Sequence, residues 1–107
     1  MPLMAGDFER ITVSSSPIGF TLSKLLKADP DNADIVRKAE RVELTLEGNP
    51  IRIQKHLVAN QTLSTTVGHI KNVLDEWSEK GHATLYNYRM IATGADAHVT
   101  VTYYYQR

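Results

Sequence analysis

The C-terminal stretch VTVTYYYQR, residues 99–107, decides the fold because its side chains alternate in character with a period of two. Successive side chains of a β-strand point to opposite faces of the sheet, so the odd-numbered residues here share one face. Those residues are all apolar or aromatic: Val99, Val101, Tyr103 and Tyr105. Burial of each large side chain contributes about 1.5–3 kcal/mol, which offsets the cost of ordering a chain end. We therefore predict a terminal strand whose odd-numbered side chains pack on the core.

A turn-forming tetrapeptide, TGAD at residues 93–96, separates this strand from the apolar segment 83–92. Two such segments around a glycine-containing turn are typical of a β-hairpin. Antiparallel register then predicts these inward pairs: Met90–Val99, Tyr88–Val101 and Tyr86–Tyr103. The same register leaves Leu85 and Tyr104 together on the outer face of the sheet.

Three further segments alternate with the strand period. Residues 8–13 place Phe8 with polar neighbours on one face and Ile11 with Val13 on the other. Residues 41–47 and 51–53 also alternate, and the turn-forming sequence EGNP separates them. We predict that these last two segments form a second hairpin.

Two segments favour helices. Asp29 before Pro30 suits a helix N-cap and first turn, which predicts a short helix of two or three turns within residues 29–40. Residues 69–80 carry apolar side chains at the helical spacing i, i+3, i+4 and i+7, followed by Gly81: Ile70, Val73, Leu74 and Trp77. The patterns as a whole predict a mainly β protein with one or two short helices.

The length of 107 residues suits a single domain with one hydrophobic core. Hydrophobic residues make up 42% of the chain and charged residues 22%, as is usual for a globular protein. Residues 1–7 show no periodicity, so we expect a flexible N-terminal arm there. We assign residues 8–107 to the single domain.

Twelve basic and twelve acidic residues cancel, so the protein lacks the net positive charge that attracts nucleic acid or anionic membranes. We therefore expect neither as a partner. The chain contains no cysteine, which excludes disulfides, thiolate metal sites and a cysteine nucleophile. The N-terminal residues lack the pattern of a signal peptide, which favours a location inside the cell.

The sequence offers no recognisable catalytic motif. Four histidines occur without the spacing of a metal site: His56, His69, His82 and His98. The three serines at residues 14–16 lack the glycine-flanked turn that presents a nucleophile, and the glycines do not form a phosphate-binding run. We therefore predict no catalytic, cofactor-binding or metal-ligating residue, and we do not expect an enzyme.

Four segments resemble small virion proteins encoded among the structural genes of tailed bacteriophages. The segments are ITVSSSPIGFT, AERVELTLEGNPIRI, TTVGHI and YNYRMIATGADAHVTVTYYY, in that order, and they cover about two thirds of the chain. In that family the segment after GH forms a loop and a strand with a Gly-Asp turn, whereas this chain has Leu74 in place of the glycine. Helix and loop followed by strand therefore both remain open for residues 69–80.

The resemblance implies an antiparallel β-sandwich that serves as a capsid decoration, cement or head-to-tail accessory subunit. Such a subunit would be located in the virion, and in the host cytoplasm during assembly. Its partners would be the major capsid protein or another virion component, together with its own copies as a homo-oligomer. The candidate interface residues are apolar residues of the N-terminal arm and the outward pair of the terminal hairpin: Met1, Leu3, Met4, Leu85 and Tyr104.

A second hypothesis is a β-sandwich that binds ligands, for example host glycans. Exposed aromatic rings can stack on sugars, and the candidates are Trp77, Tyr86 and Tyr104. This function would require the rings to line a common groove. A position of the rings against another subunit would instead favour the structural role.

Overall fold

The computed structural model describes residues 3–29, 31–32, 34–55 and 63–106, except for the side chains of residues 3, 4 and 106. The protein is a mainly β single domain in which two antiparallel sheets share one core, and two short helices accompany them. The fold class predicted from the sequence is therefore confirmed.

The elements follow one another along the chain with short connections. The strands and helices are β1 (Leu3–Val13), α1 (Leu22–Leu25), β2 (Leu26–Ala28), β3 (Val36–Glu47), β4 (Ile51–Gln54), β5 (His69–Lys71), β6 (Glu76–Lys80), α2 (His82–Asn87), β7 (Arg89–Ala92) and β8 (Ala97–Gln106). The larger sheet has the order β1-β8-β3, and both β2 and β6 pair with the far edge of β3. The smaller sheet has the order β5-β4-β7.

Strand β8 is the centre of the larger sheet, because β1 pairs with one of its edges and β3 with the other. Its odd-numbered side chains are buried and its even-numbered ones lie on the outer face, as the alternation predicts. The inward residues are Ala97, Val99, Val101, Tyr103 and Tyr105. The terminal stretch is therefore held by two ladders of backbone hydrogen bonds.

The predicted hairpin between residues 83–92 and 97–105 is wrong. Strand β7 pairs with β4 in the smaller sheet, and residues 82–87 form α2 instead of a strand. Tyr88 and Val101 are both fully buried, but they reach the core from different elements instead of lying side by side. Apolar alternation identified the inward residues of β8, but in the preceding segment it was wrong for Tyr86, which is 48% exposed on α2, and it could not identify the neighbouring strand.

The second predicted hairpin is also wrong in its pairing. Strands β3 and β4 are consecutive but belong to different sheets, and the chain crosses between them through Gly48, whose φ is +94°. The predicted inward residues of both strands are buried nonetheless: Val42, Leu44, Leu46, Ile51 and Ile53. The turn-forming sequence EGNP therefore does mark the end of a strand, but the chain passes there from one sheet to the other instead of forming a hairpin.

Neither predicted helix forms. Strand β3 begins at Val36, and its first three residues pair with β2 across residues 29–35. Asp29 binds the Arg37 side chain at 2.6 Å instead of capping a helix. Residues 69–71 and 76–80 are the strands β5 and β6, so the loop-and-strand alternative is correct for that segment.

Most of the predicted N-terminal arm is part of a strand. Strand β1 begins at Leu3 and pairs with β8 from its first residue, so residues 3–7 belong to the sheet. A register shift between Ala5 and Asp7 leaves Gly6 unpaired. A side chain at Gly6 would place its Cβ 2.8 Å from the Tyr105 ring, so this position requires glycine.

The inward tyrosines bring their hydroxyl groups to protein acceptors at the edge of the core. Tyr103 donates to the Glu9 carboxylate, and Tyr105 donates to the backbone carbonyl of Lys24. Thr21 Oγ1 donates to the same Glu9 carboxylate at 2.8 Å. Because Glu9 lies on β1 and Lys24 on α1, these bonds tie two elements to the end of β8.

Burial raises the pKa of the inward tyrosines above their ordinary value of 10.0. Burial, together with the negative charges of Asp7 and Glu9, raises the pKa of Tyr105 to about 12. Burial and then the hydrogen bond to Glu9 raise the pKa of Tyr103. An unfolded chain would ionise both groups near pH 10, so these tyrosines stabilise the fold fully below that pH.

We predict that the free energy of unfolding falls as the pH rises above about 10, and that the contribution of Tyr105 is lost through about pH 12. Each phenol that stays protonated only in the folded state lowers this free energy by about 1.4 kcal/mol per pH unit in that range. Urea unfolding at a series of alkaline pH values measures the slope. The variant Tyr103→Phe lacks one of these phenols, so its slope should be smaller by the contribution of about one proton, or about 1.4 kcal/mol per pH unit. Equal slopes for both proteins would contradict the conclusion that Tyr103 stays protonated in the folded state at these pH values.

Candidate functional site

The candidate interface residues do not form one surface. Leu85 is fully buried in α2, so it cannot form an outward patch with Tyr104, and its predicted exposure is wrong. Leu3 and Met4 lie in β1 opposite Gln106 and Tyr105, and Met1 lies outside the described residues. Tyr104 is placed as predicted, on the outer face of β8.

Tyr104 is half-buried among charged side chains of the neighbouring strand. Its ring centre lies 5.1 Å from the Arg41 guanidinium, and Arg41 Nη2 donates to Glu43 Oε1 at 2.7 Å. A hydrogen bond to Glu43 raises the pKa of Tyr104. The outer face of the larger sheet is thus a polar surface on which this tyrosine already has partners.

The aromatic residues proposed for glycan binding lie on three separate surfaces. Trp77 packs against the core, donates from Nε1 to the Tyr88 hydroxyl at 3.0 Å and is covered by Lys71 Nζ at 4.9 Å. Tyr86 lies on α2 near His82, and Tyr104 lies on the outer face of β8. These rings therefore form no common groove, and the geometry does not favour glycan binding through them.

The described histidines are dispersed. His69 is on β5, His82 contacts the Ala39 carbonyl at 3.3 Å, and His98 on the outer face of β8 contacts Thr12 at 3.3 Å. His56 lies outside the described residues. In the part of the chain that the structure describes, no three side chains of metal-ligand type come together.

A buried carboxylate is the other group that could take part in binding or catalysis. Glu79 is 7% exposed, and its Oε1 lies 3.1 Å from Lys55 Nζ. No described residue donates to Oε2, but that oxygen is enclosed by protein and cannot be reached by a ligand. We assign this pair to the stability of the contact between β4 and β6.

Three exposed apolar residues lie in one short segment, the apolar turn, which we define as residues 70–74. Ile70, Val73 and Leu74 are 46%, 40% and 76% exposed. Exposed apolar residues are ordinary when single, but a cluster in one short segment marks a contact surface. The helical stripe seen in the sequence is thus an exposed cluster on a turn, with only Trp77 partly buried.

The apolar turn is fixed to the end of β3. Leu74 N–H donates to the Leu46 carbonyl at 2.9 Å, and Leu46 N–H donates to the Asp75 carbonyl at 3.0 Å. Asn72 N–H donates to the Asp75 carboxylate at 2.7 Å. Leu74 has a φ of +71°, the only positive value among the described non-glycine residues. The turn therefore presents a leucine to solvent in a conformation that disfavours leucine.

A second exposed apolar cluster lies on the hairpin arm, which we define as residues 26–38, formed by β2 and the start of β3. Its strands pair in the register Leu26–Lys38, Lys27–Arg37 and Ala28–Val36. Ile35 and Val36 at the tip are 50% and 54% exposed. Pairing of β3 with β8 begins only at Ala39, so the outer part of the arm extends beyond the larger sheet.

The two clusters lie at opposite ends of the molecule. The arm precedes β3, and the apolar turn is bonded to Leu46 near its end. Ten residues of extended chain separate Val36 from Leu46, which corresponds to about 33 Å. The longest dimension of the molecule is 43 Å. Strand β3 thus spans the distance between the two exposed apolar clusters.

Sequence patterns missed both surfaces. The one available signal was the expectation, from the resemblance to virion proteins, of glycine where this chain has Leu74, because glycine is the residue that a positive φ favours. Phe8 is another exposed residue, at 72%. The period of two places it on the same face as Arg10 and Thr12, which is the solvent-exposed face of β1. No comparable pattern marked Ile35 and Val36, because they stood in a segment that suggested a helix.

Comparison with protein-family models, with curated proteins and with solved structures gave no match. Within the described segments, no helix combines the length and the apolar composition that a membrane span requires.

We predict that Leu74→Gly raises the free energy of unfolding by about 0.5–1 kcal/mol, because glycine adopts a positive φ without strain and the leucine buries little surface. Leu74→Val should lower it by about 1 kcal/mol or more, because β-branched residues tolerate this conformation least. Urea unfolding measures both changes. A loss of stability in the glycine variant would show that the leucine packs within the monomer.

Proposed function

We propose that the protein is a non-enzymatic structural subunit of a tailed-bacteriophage particle, acting as a capsid decoration, cement or head-to-tail accessory protein. It binds the major capsid protein or another virion component, and it binds its own copies. The observation that carries this proposal is the pair of apolar clusters at opposite ends of a rigid frame. The resemblance of four segments to virion proteins supplies the biological setting.

An assembly subunit needs a stable frame and surfaces that engage neighbours. The frame is supplied by β8, which is bonded along both edges and fixed at its end by tyrosine hydroxyls. The neighbours would contact the apolar turn and the hairpin arm, whose side chains are exposed in the isolated chain. Burial of such clusters on association is the usual driving force for protein–protein contact.

Co-sedimentation of the purified protein with purified phage shells tests this function. We expect the protein to sediment with the shells, and Leu74→Asn to weaken this binding about tenfold or more by removing an apolar contact. Asparagine tolerates a positive φ, so the variant should keep its fold. Circular dichroism and the unfolding midpoint provide the check on folding.

A matched variant on a different surface identifies the contact. Tyr104→Ser removes an outer-face aromatic ring without touching either apolar cluster, and it should bind shells nearly as well as the original protein if the clusters carry the contact. Weaker binding of Tyr104→Ser would instead assign the contact to the outer face of β8. Absence of binding to shells, connectors and tails alike would refute the proposed function.

A further inference from the structure

We propose that the hairpin arm of one copy packs on the apolar turn of a second copy, so that copies of the chain join head to tail. The inference rests on the proposed function, because it specifies how an assembly subunit binds its own copies. It commits to a second copy as the occupant of both surfaces.

The first argument is that the two surfaces have matching character. The arm presents Ile35 and Val36, and the turn presents Ile70, Val73 and Leu74, all between 40% and 76% exposed. Joined to each other, they would remove both apolar clusters from water in a single contact.

The second argument is complementary charge beside the apolar side chains. Asp31 and Asp34 are exposed next to Ile35, and the described residues offer neither of them an ion-pair partner. Lys71 lies within the apolar turn, where its ammonium group covers the Trp77 ring and contacts no described carboxylate. The turn is followed by Asp75 and the exposed Glu76, so an acidic tip would meet opposite charge only if it approached from the Lys71 side, and this requirement would orient the two copies.

The third argument is the position and rigidity of the surfaces. The arm is closed by Asp29, which accepts from both Nε and Nη2 of Arg37, and its base is held by Lys27 Nζ, which donates to the Gly6 carbonyl at 2.7 Å. The turn is bonded to β3 at Leu46. Because the surfaces lie at opposite ends, the contact is heterologous, and it generates either a closed ring or a chain of copies.

Cysteine cross-linking tests the contact, since the natural chain contains no cysteine. Val36→Cys and Leu74→Cys are prepared as separate proteins, mixed in equal amounts and oxidised mildly. We expect the mixture to form a disulfide-linked dimer at least about tenfold faster than either protein alone, because the contact raises the effective concentration of one thiol near the other. Both positions are exposed, so both variants should fold.

A control pair measures random collision. Phe8→Cys and Leu22→Cys place thiols at exposed positions, 72% and 54%, that belong to neither apolar cluster. Their mixture should cross-link at the background rate. If the Val36→Cys and Leu74→Cys mixture does no better than this control, the head-to-tail contact is wrong. If Val36→Cys or Leu74→Cys alone cross-links as fast as the mixture, the contact joins like surfaces and the inference is also wrong.

The cross-linking test of the head-to-tail contact and the binding test of the proposed function can give different results. Shell binding without cross-linking would overturn the head-to-tail contact and leave the virion role standing. Cross-linking without binding to shells, connectors or tails would support self-association and refute the virion role. Light scattering of the unmodified protein over a concentration series measures self-association without introduced thiols. The mean molecular mass should increase with concentration, and Leu74→Asn should suppress this increase.

Discussion

The structure depends on β8 having a neighbour along each edge. Its inward side chains supply the centre of the core, and the rings of Tyr103, Tyr88 and Phe20 meet there, with Phe20 stacked on Tyr88 at 5.1 Å. Phenol groups can be buried at this depth only if their hydroxyls find acceptors, which Glu9 and the Lys24 carbonyl provide. The terminal strand is therefore held by hydrogen bonds from its side chains as well as by the backbone hydrogen bonds to β1 and β3.

The same end of β8 explains why the hairpin arm leaves the sheet. Both neighbours of β8 shift register opposite the last tyrosines, β1 between Ala5 and Asp7 and β3 between Ala39 and Arg41. Such irregularities bend a strand and increase its twist. Beyond the shift, β3 pairs with β2 alone, and its residues become exposed. Accommodation of the tyrosines thus produces the arm.

The sequence was sufficient to predict which side chains face the core in β3, β4 and β8, because period-two alternation depends only on the local chain. It was insufficient for pairing, since alternation assigns a face and says nothing about the adjacent strand. Tyr88 and Val101 illustrate this, because both are buried but Tyr88 lies at the end of α2 and Val101 lies in β8. Leu85 illustrates a second failure. Residues 82–87 form a helix instead of the predicted strand, so the Leu85 side chain is buried instead of exposed.

The candidate site was harder to predict because its residues carry misleading local signals. Asp29 and Pro30 suggest a helix start, but the Asp29 carboxylate closes the arm by binding Arg37. The apolar residues of the turn follow a helical spacing, yet Asp75 and Asn72 close a tight turn there instead. Long-range bonds to β3 decided between these alternatives, and no single-sequence pattern reports them.

Leu74 connects the energetics of the monomer with the proposed contact. In the isolated chain this residue gains little, because 76% of it is exposed and its backbone conformation costs about 1 kcal/mol relative to glycine. Full burial of a leucine side chain contributes about 1.5–3 kcal/mol, which exceeds that cost. A leucine at this position is thus unfavourable in a free monomer and favourable in an assembly that covers it. The balance reverses only when a second surface is present, which is why the turn is better explained as a contact than as a part of the core.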